Sequence, residues 1–172
     1  MSSPRSSPQF DAVPPLAIIG WREWLALPQI QVPRVKAKID TGARSSSLHA
    51  FDLEFFRRQG KDMIRFTVHP HQRNHRDMVQ AEAELLDERQ VRNSGGGTEC
   101  RPVIQTLAQL GDHEWLIELT LTRRDAMGFR MLLGRQAVRQ RFLVDASRSF
   151  LFSVNPHRLK QFGTKNDETG GK

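Results

Sequence analysis

The sequence predicts an all-β fold, closed or nearly closed into a barrel, and three observations carry that expectation. Apolar residues recur at every second position, turn-forming residues separate those runs, and only one short stretch has helical character. Strict alternation puts one apolar face on a core and one polar face toward water, the pattern of antiparallel strands. Closing such strands into a barrel removes their exposed edges.

The elements follow in order. Val35, Ala37 and Ile39 alternate with Lys36 and Lys38. Ile64, Phe66 and Val68 alternate with Arg65 and Thr67, after the turn Arg58-Gln59-Gly60-Lys61 and before the break at His69-Pro70. Val79, Ala81, Ala83 and Leu85 form the next run, and Asn93-Ser94-Gly95-Gly96-Gly97 the next turn. Ile117, Leu119 and Leu121 follow the turn Leu110-Gly111-Asp112. Met131-Leu132-Leu133 is an apolar strand that runs into Gly134 and a short helix over Arg135–Gln140. A hairpin of Phe142–Val144 with Phe150–Phe152 is expected to close the body, and Trp21, Trp24 and Trp115 are expected in its core or an interface.

A chain of 172 residues suits one domain, expected over 16–153, between a Ser/Pro-rich disordered arm (1–15) and a polar C-terminal tail (154–172). No run approaches the ~18–20 apolar residues that span a bilayer, and no apolar stretch follows the first charged residues, so no membrane role and a cytoplasmic location are expected. The single Cys100 excludes an internal disulfide and a thiolate metal cluster. A net charge of +7 favours anionic partners. The arginines are scattered and no nucleic-acid-binding motif is present, so an acidic polypeptide is favoured over nucleic acid.

Ile39-Asp40-Thr41-Gly42-Ala43 carries the chemistry. Gly42 lets the chain turn sharply after a strand, which leaves the Asp40 carboxylate at the strand end within reach of backbone amides and the Thr41 hydroxyl. An ordinary turn after a strand is the competing reading. Ser45, Ser46 and Ser47 stand beside it, without a paired base that would make one a nucleophile.

Together with Met131-Leu132-Leu133-Gly134-Arg135, this motif resembles the retropepsin-like aspartic peptidases. Ile18 to Glu23, Lys36 to Ala50 and Asp125 to Arg135 resemble more narrowly the bacterial family labelled "ATP-dependent zinc protease". The resemblance covers about residues 16–153. It implies a retropepsin-like barrel, a crossing of the Asp40 loop with the Leu133–Gly134 segment, and a hydrolase with Asp40 as its catalytic carboxylate. It also implies Thr41, Gly42, Ala43, Leu133 and Gly134 as supports, and an ATP-grasp glutamate ligase as partner. Gly95, Gly96 and Gly97 resemble the tip of a hairpin that closes over substrate, with an ordinary loop as the alternative.

Aspartic peptidases use two carboxylates about one water, and this chain has one Asp-Thr-Gly. A homodimer with Asp40 from each subunit is therefore expected, Asp125 being the alternative within one chain. Arg44, Ser47 and Arg135 are candidates for holding an acidic substrate, although Arg44 and Arg135 could instead brace the loops through internal pairs. No cofactor is expected. Zinc enters only through the family label: the candidate donors His49, His69, His71, His75, Asp40 and Cys100 show no ligand spacing, and His49 reads as a buried structural residue. No phosphate-binding loop supports ATP dependence. A non-catalytic binding module and a zinc-dependent peptidase remain as alternative readings.

Overall fold

The strand runs read from the alternation are each present, and six strands close on one another. The computed structural model describes residues 15–70, 77–92, 95–123 and 128–153. The expected arm (but for Pro15), the C-terminal tail, His71, His75 and Asp125 lie outside these residues. The elements are β1 (Ala17–Gly20), β2 (Arg22–Leu27), β3 (Val32–Asp40), β4 (Ser46–His49), β5 (Phe51–Arg58), β6 (Lys61–Val68), β7 (Val79–Arg92), β8 (Thr98–Leu110), β9 (His113–Thr122), β10 (Met131–Gly134), α1 (Arg135–Val138) and β11 (Phe142–Asp145). The barrel runs β2-β3-β10-β4-β9-β8 and closes where Ala26 of β2 pairs with Gln109 of β8.

The interior follows from the alternation. Val35, Ala37 and Ile39 of β3 are buried, as are Leu48 of β4, Ile117, Leu119 and Leu121 of β9, and Met131 and Leu133 of β10. Each large aliphatic side chain taken out of water there stabilises the fold by about 1.5–3 kcal/mol. Strands β7, β6 and β5 continue from β8 as a wing beyond the barrel. Its inner face buries Ile64, Phe66, Ala81 and Ala83, while its outer face carries the ladder Glu54–Arg65–Glu82–Arg58. At the β5–β6 turn Gln59 and Gly60 both have positive φ, 51° and 78°, the pair of values that a two-residue hairpin of matching twist requires.

Four expectations are corrected. The strands are not all antiparallel: β10 runs parallel to β3, β4 to β9, and β1 to β11. Strand β7 continues past Leu85 to Arg92, because a register shift between Leu85 and Asp87 breaks the alternation that marks it. The helix stops at Val138, two residues early. Phe150–Phe152 forms no strand against Phe142–Val144; instead β11 pairs with β1, register Ala17↔Phe142 to Gly20↔Asp145.

The reason for the last lies in Glu23. Its carboxylate is wholly buried, and Oε1 accepts from the amides of Gly20 at 2.7 Å, Leu151 at 2.8 Å and Phe152 at 3.3 Å. Oε2 accepts from the Ser153 amide at 3.0 Å and its hydroxyl. The backbone donors that a strand would have paired are thus held by one side chain. Among the described residues no helix is long and apolar enough to cross a membrane.

Candidate active site

Strand β3 ends at Asp40, and the turn after it folds back on the carboxylate. Asp40 Oδ1 accepts from the amides of Gly42 at 3.2 Å and Ala43 at 3.1 Å, which fixes the side chain while leaving it half-exposed. The Thr41 hydroxyl makes no hydrogen bond to it; Thr41 contributes its carbonyl, which accepts from Arg135 at 3.0 Å.

Strand β10 supports the turn from the side. Leu133 pairs with Ile39 and Gly134 with Asp40 in parallel register. Gly134 N donates to the buried Ser46 hydroxyl at 3.0 Å, while the amides of Arg135 and Gln136 donate to the carbonyls of Ala43 and Arg44 at 2.8 and 3.1 Å. The 43–46 segment is therefore stitched to the start of α1. Thr120 of β9 adds a bond from its hydroxyl to the Ser46 carbonyl at 3.1 Å. The crossing implied by the resemblance to retropepsins is present, and Leu133 is completely buried beneath it.

Asp40 opens into a cavity of about 660 Å³. Its walls come from the turn (Ala43, Arg44, Ser45, Ser47), from Glu118 and Thr120 of β9, from Leu132 of β10, and from Arg89, Gln90, Val91, Arg92 and Arg101 of the β7–β8 hairpin. A second cavity of about 380 Å³ shares Arg44, Ser45, Arg89 and Glu118 with it and adds Arg139. Of the residues singled out from the sequence, Arg44 and Ser47 line the main cavity with Asp40. Arg44 is exposed and has no ion-pair partner among the described residues. Arg135 does not line it and braces the turn through Thr41 instead. Gly95, Gly96 and Gly97 lie exposed at the hairpin tip, outside the cavity wall, and Gly96 has φ of 85°.

The hairpin stem was missed from the sequence. Arg89 of β7 pairs directly across from Arg101 of β8, placing two like charges side by side. Arg89 is held by Asp87 at 2.8 Å and by Glu118 at 2.5 Å, and hydrogen bonds to Glu118, then Asp87, push its pKa above the ordinary value. The same Arg89 bond holds Asp87 below the usual carboxylate range. Counting back from the Gly95–Gly97 tip pairs Arg92 with Thr98 and Arg89 with Arg101, so the signal was available once the strand was extended.

Among the described residues the donors considered for zinc are not brought together. His49 is buried in β4, its amide donating to the Arg130 carbonyl at 2.8 Å and its ring beside Phe51, and it does not line the cavity with Asp40. His69 stacks on Phe51 and Cys100 is exposed on β8. No three His, Cys, Asp or Glu side chains among the described residues are grouped to hold a metal. Among the described residues, Asp40 belongs to no group of donors that would hold zinc.

Residues 18–154 match the family described as RimB-like, retropepsin-like aspartic endopeptidase RimB. Two relatives named "Probable alpha-L-glutamate ligase" are similar to this chain. That of Shewanella halifaxensis is 44% identical over 90% of this chain and 34% of its own length. That of Parasynechococcus marenigrum is 49% identical over 74% of this chain and 28% of its own. The chain thus spans about a third of the length of the curated relatives it matches. A crystal structure of a Legionella pneumophila protein of unknown function (DUF785) superposes with a TM-score of 0.69 at 30% identity, over 80% of this chain and 98% of that one.

Proposed function

The chain belongs to the RimB-like family of retropepsin-like aspartic endopeptidases, and from that premise we propose that it hydrolyses peptide bonds with two Asp40 carboxylates, one from each protomer of a homodimer. The observation that carries the proposal is the Asp40 turn itself. A carboxylate fixed by two amides and left open to a cavity is a positioned acid–base group. Two such groups about one water share a single proton, since adjacent like charges do not both ionise. The ionised carboxylate takes a proton from the water, whose oxygen bonds to the scissile carbonyl carbon. The protonated one donates to the carbonyl oxygen. As the carbon–nitrogen bond breaks, the first carboxyl passes the proton it took from water to the leaving nitrogen. The second takes one back from a hydroxyl of the diol as the carbonyl re-forms, and the dyad returns to its starting state.

Support for the dimer comes from the β1–β11 sheet, where Ile18 and Leu143 are paired in register and both about half exposed. Apolar side chains set together on a two-stranded sheet suit burial against a second copy.

The proposed substrate is an acidic polypeptide, and a glutamate-rich one in particular. Four guanidinium groups (Arg44, Arg89, Arg92, Arg101) face the cavity against two carboxylates, Asp40 and Glu118. Relatives named as glutamate ligases contain this domain as about a third of their length. A hydrolase joined to, or partnered by, such a ligase would act on the glutamate it adds. The ligase's own activity would reside in the other two thirds.

The test is Asp40→Asn, assayed on glutamate-rich and neutral peptides. The amide keeps the shape and cannot serve as base, so hydrolysis falls by about 10²–10⁴-fold. A variant that retains the parent rate overturns the assignment.

A further inference from the structure

We propose that Arg101 is the residue that selects acidic substrates, its guanidinium receiving a substrate side-chain carboxylate beside the scissile bond; this deepens the reading of the site as one for acidic peptides and rests on it.

Arg101 combines features that are costly unless an anion completes them. Its side chain is 5% exposed although charged. It stands directly opposite Arg89 across the hairpin, so two positive charges share one face of the stem. Its one ion pair is through Nε to Glu99 Oε2 at 2.9 Å, and that is also its only side-chain hydrogen bond among the described residues. Glu99 is itself 44% exposed, which weakens the compensation. The outer edge of the guanidinium is left over, and Arg101 lines the same cavity as Asp40.

Arg89 shows what a completed site looks like. It uses Nε for Asp87, two residues back on its own strand, as Arg101 uses Nε for Glu99, two residues back on its own. Its outer nitrogen then takes Glu118 from the barrel wall. Arg101 has the first bond and lacks the second. A carboxylate entering the cavity supplies it, with the planar fork giving direction as well as charge. A buried guanidinium gains more from such a partner than an exposed one, because fewer waters compete for it. Arg44 and Arg92, both exposed, attract the chain to the opening but distinguish it less.

The experiment compares the full chain with Arg101→Met, which keeps the stem and removes the charge, with Arg101→Glu, and with Arg57→Met, an exposed arginine on the β5–β6 hairpin, as control. Circular dichroism and thermal unfolding establish that each is folded. In an Asp40→Asn background, binding of a fluorescent hexaglutamate peptide is measured by anisotropy. This arm needs no hydrolysis and so is independent of the dyad reading. Arg101→Met is expected to weaken binding tenfold or more, and Arg57→Met less than twofold. With Asp40 intact, the ratio of kcat/KM for glutamate-rich over neutral peptides should fall at least tenfold in Arg101→Met. In Arg101→Glu it should shift toward lysine-bearing peptides. A folded Arg101→Met that binds hexaglutamate as tightly as the parent overturns the inference, whatever the hydrolysis assay gives. Absence of hydrolysis in the parent chain itself, with hexaglutamate binding still dependent on Arg101, would count against the dyad and sustain the inference.

Discussion

Gly134 pairs with Asp40 in the parallel register of β3 and β10, and it does so against a wall of backbone. A Cβ added there would stand 2.5 Å from both the carbonyl carbon and oxygen of Ser45, and 2.9 Å from the Ser46 nitrogen. Contacts of that length are relieved only by shifting the chain, and the chain in question is the turn that holds the carboxylate.

Gly134→Ala should therefore destabilise the fold by about 1–3 kcal/mol, the usual cost of forcing a carbon into a filled interior. Residual hydrolysis should fall further than the loss of folded protein explains. Chemical denaturation and kcat on the folded fraction check both. A variant with unchanged stability would mean that the 43–46 segment yields easily.

Mixing protomers tests the shared dyad. Parent and Asp40→Asn chains, unfolded together and refolded at varied ratios, should show activity that falls as the square of the parent fraction, because a mixed pair has one carboxylate. A linear fall would show that each protomer works alone. A chelator should leave the parent rate unchanged, since among the described residues no group of metal donors includes Asp40; loss on chelation with recovery on added zinc would reverse that.

Hydrolysis of a glutamate-rich peptide should slow as salt rises, with most of the change in kcat/KM, while a neutral peptide changes little. Charges within about 8–10 Å of the opening act through a screening length that shrinks with ionic strength. Rates on both peptides measured from low to high salt decide this.

Glu23→Ala removes one carboxylate and leaves the amides of Gly20, Leu151, Phe152 and Ser153 without their partner. A loss of several kcal/mol is expected, at about 1–3 kcal/mol for each buried amide left without a partner. Hydrogen exchange should show 150–153 opening first. Retained protection there would mean water replaces the carboxylate.

Acid weakens the corner after β11. Two bonds from Ser147 and one from Arg148 bring the Asp145 pKa to about 2, from an ordinary 3.8. A depressed carboxylate stabilises the fold fully above the unfolded value, and that contribution is lost as pH falls from about 4 to about 2. Across this window the parent should lose more stability than Asp145→Asn, as urea unfolding at each pH would show.

What the residues disclosed in advance depended on how local the cause was. The alternation in β3, β6 and β9 was legible because each strand has one buried face set by its own side chains. The Asp40 turn and the Gly134 crossing were legible from their motifs. Strand β1 was not, since Ala17-Ile18-Ile19-Gly20 is short, does not alternate, and pairs with residues 142–145 at the far end of the domain. The segment after β11 was misread because its aromatic run suits a strand, while a single distant glutamate takes up its donors. Arg89 and Arg101 were missed because a phase slip at Leu85–Asp87 hid the second half of β7.

The parallel pairing of β1 with β11 has a consequence for how this domain can be combined with others. The first strand described lies alongside the last, and Ser153 bonds to Glu23 and Trp24, just beyond β1. The last described residues thus run in the same direction as the first, from Ala17 beside Phe142 to Trp24 beside Ser153. A neighbour tethered at either end therefore pulls along this one seam, and the load falls on the bonds between the first and last segments before it reaches the barrel strands.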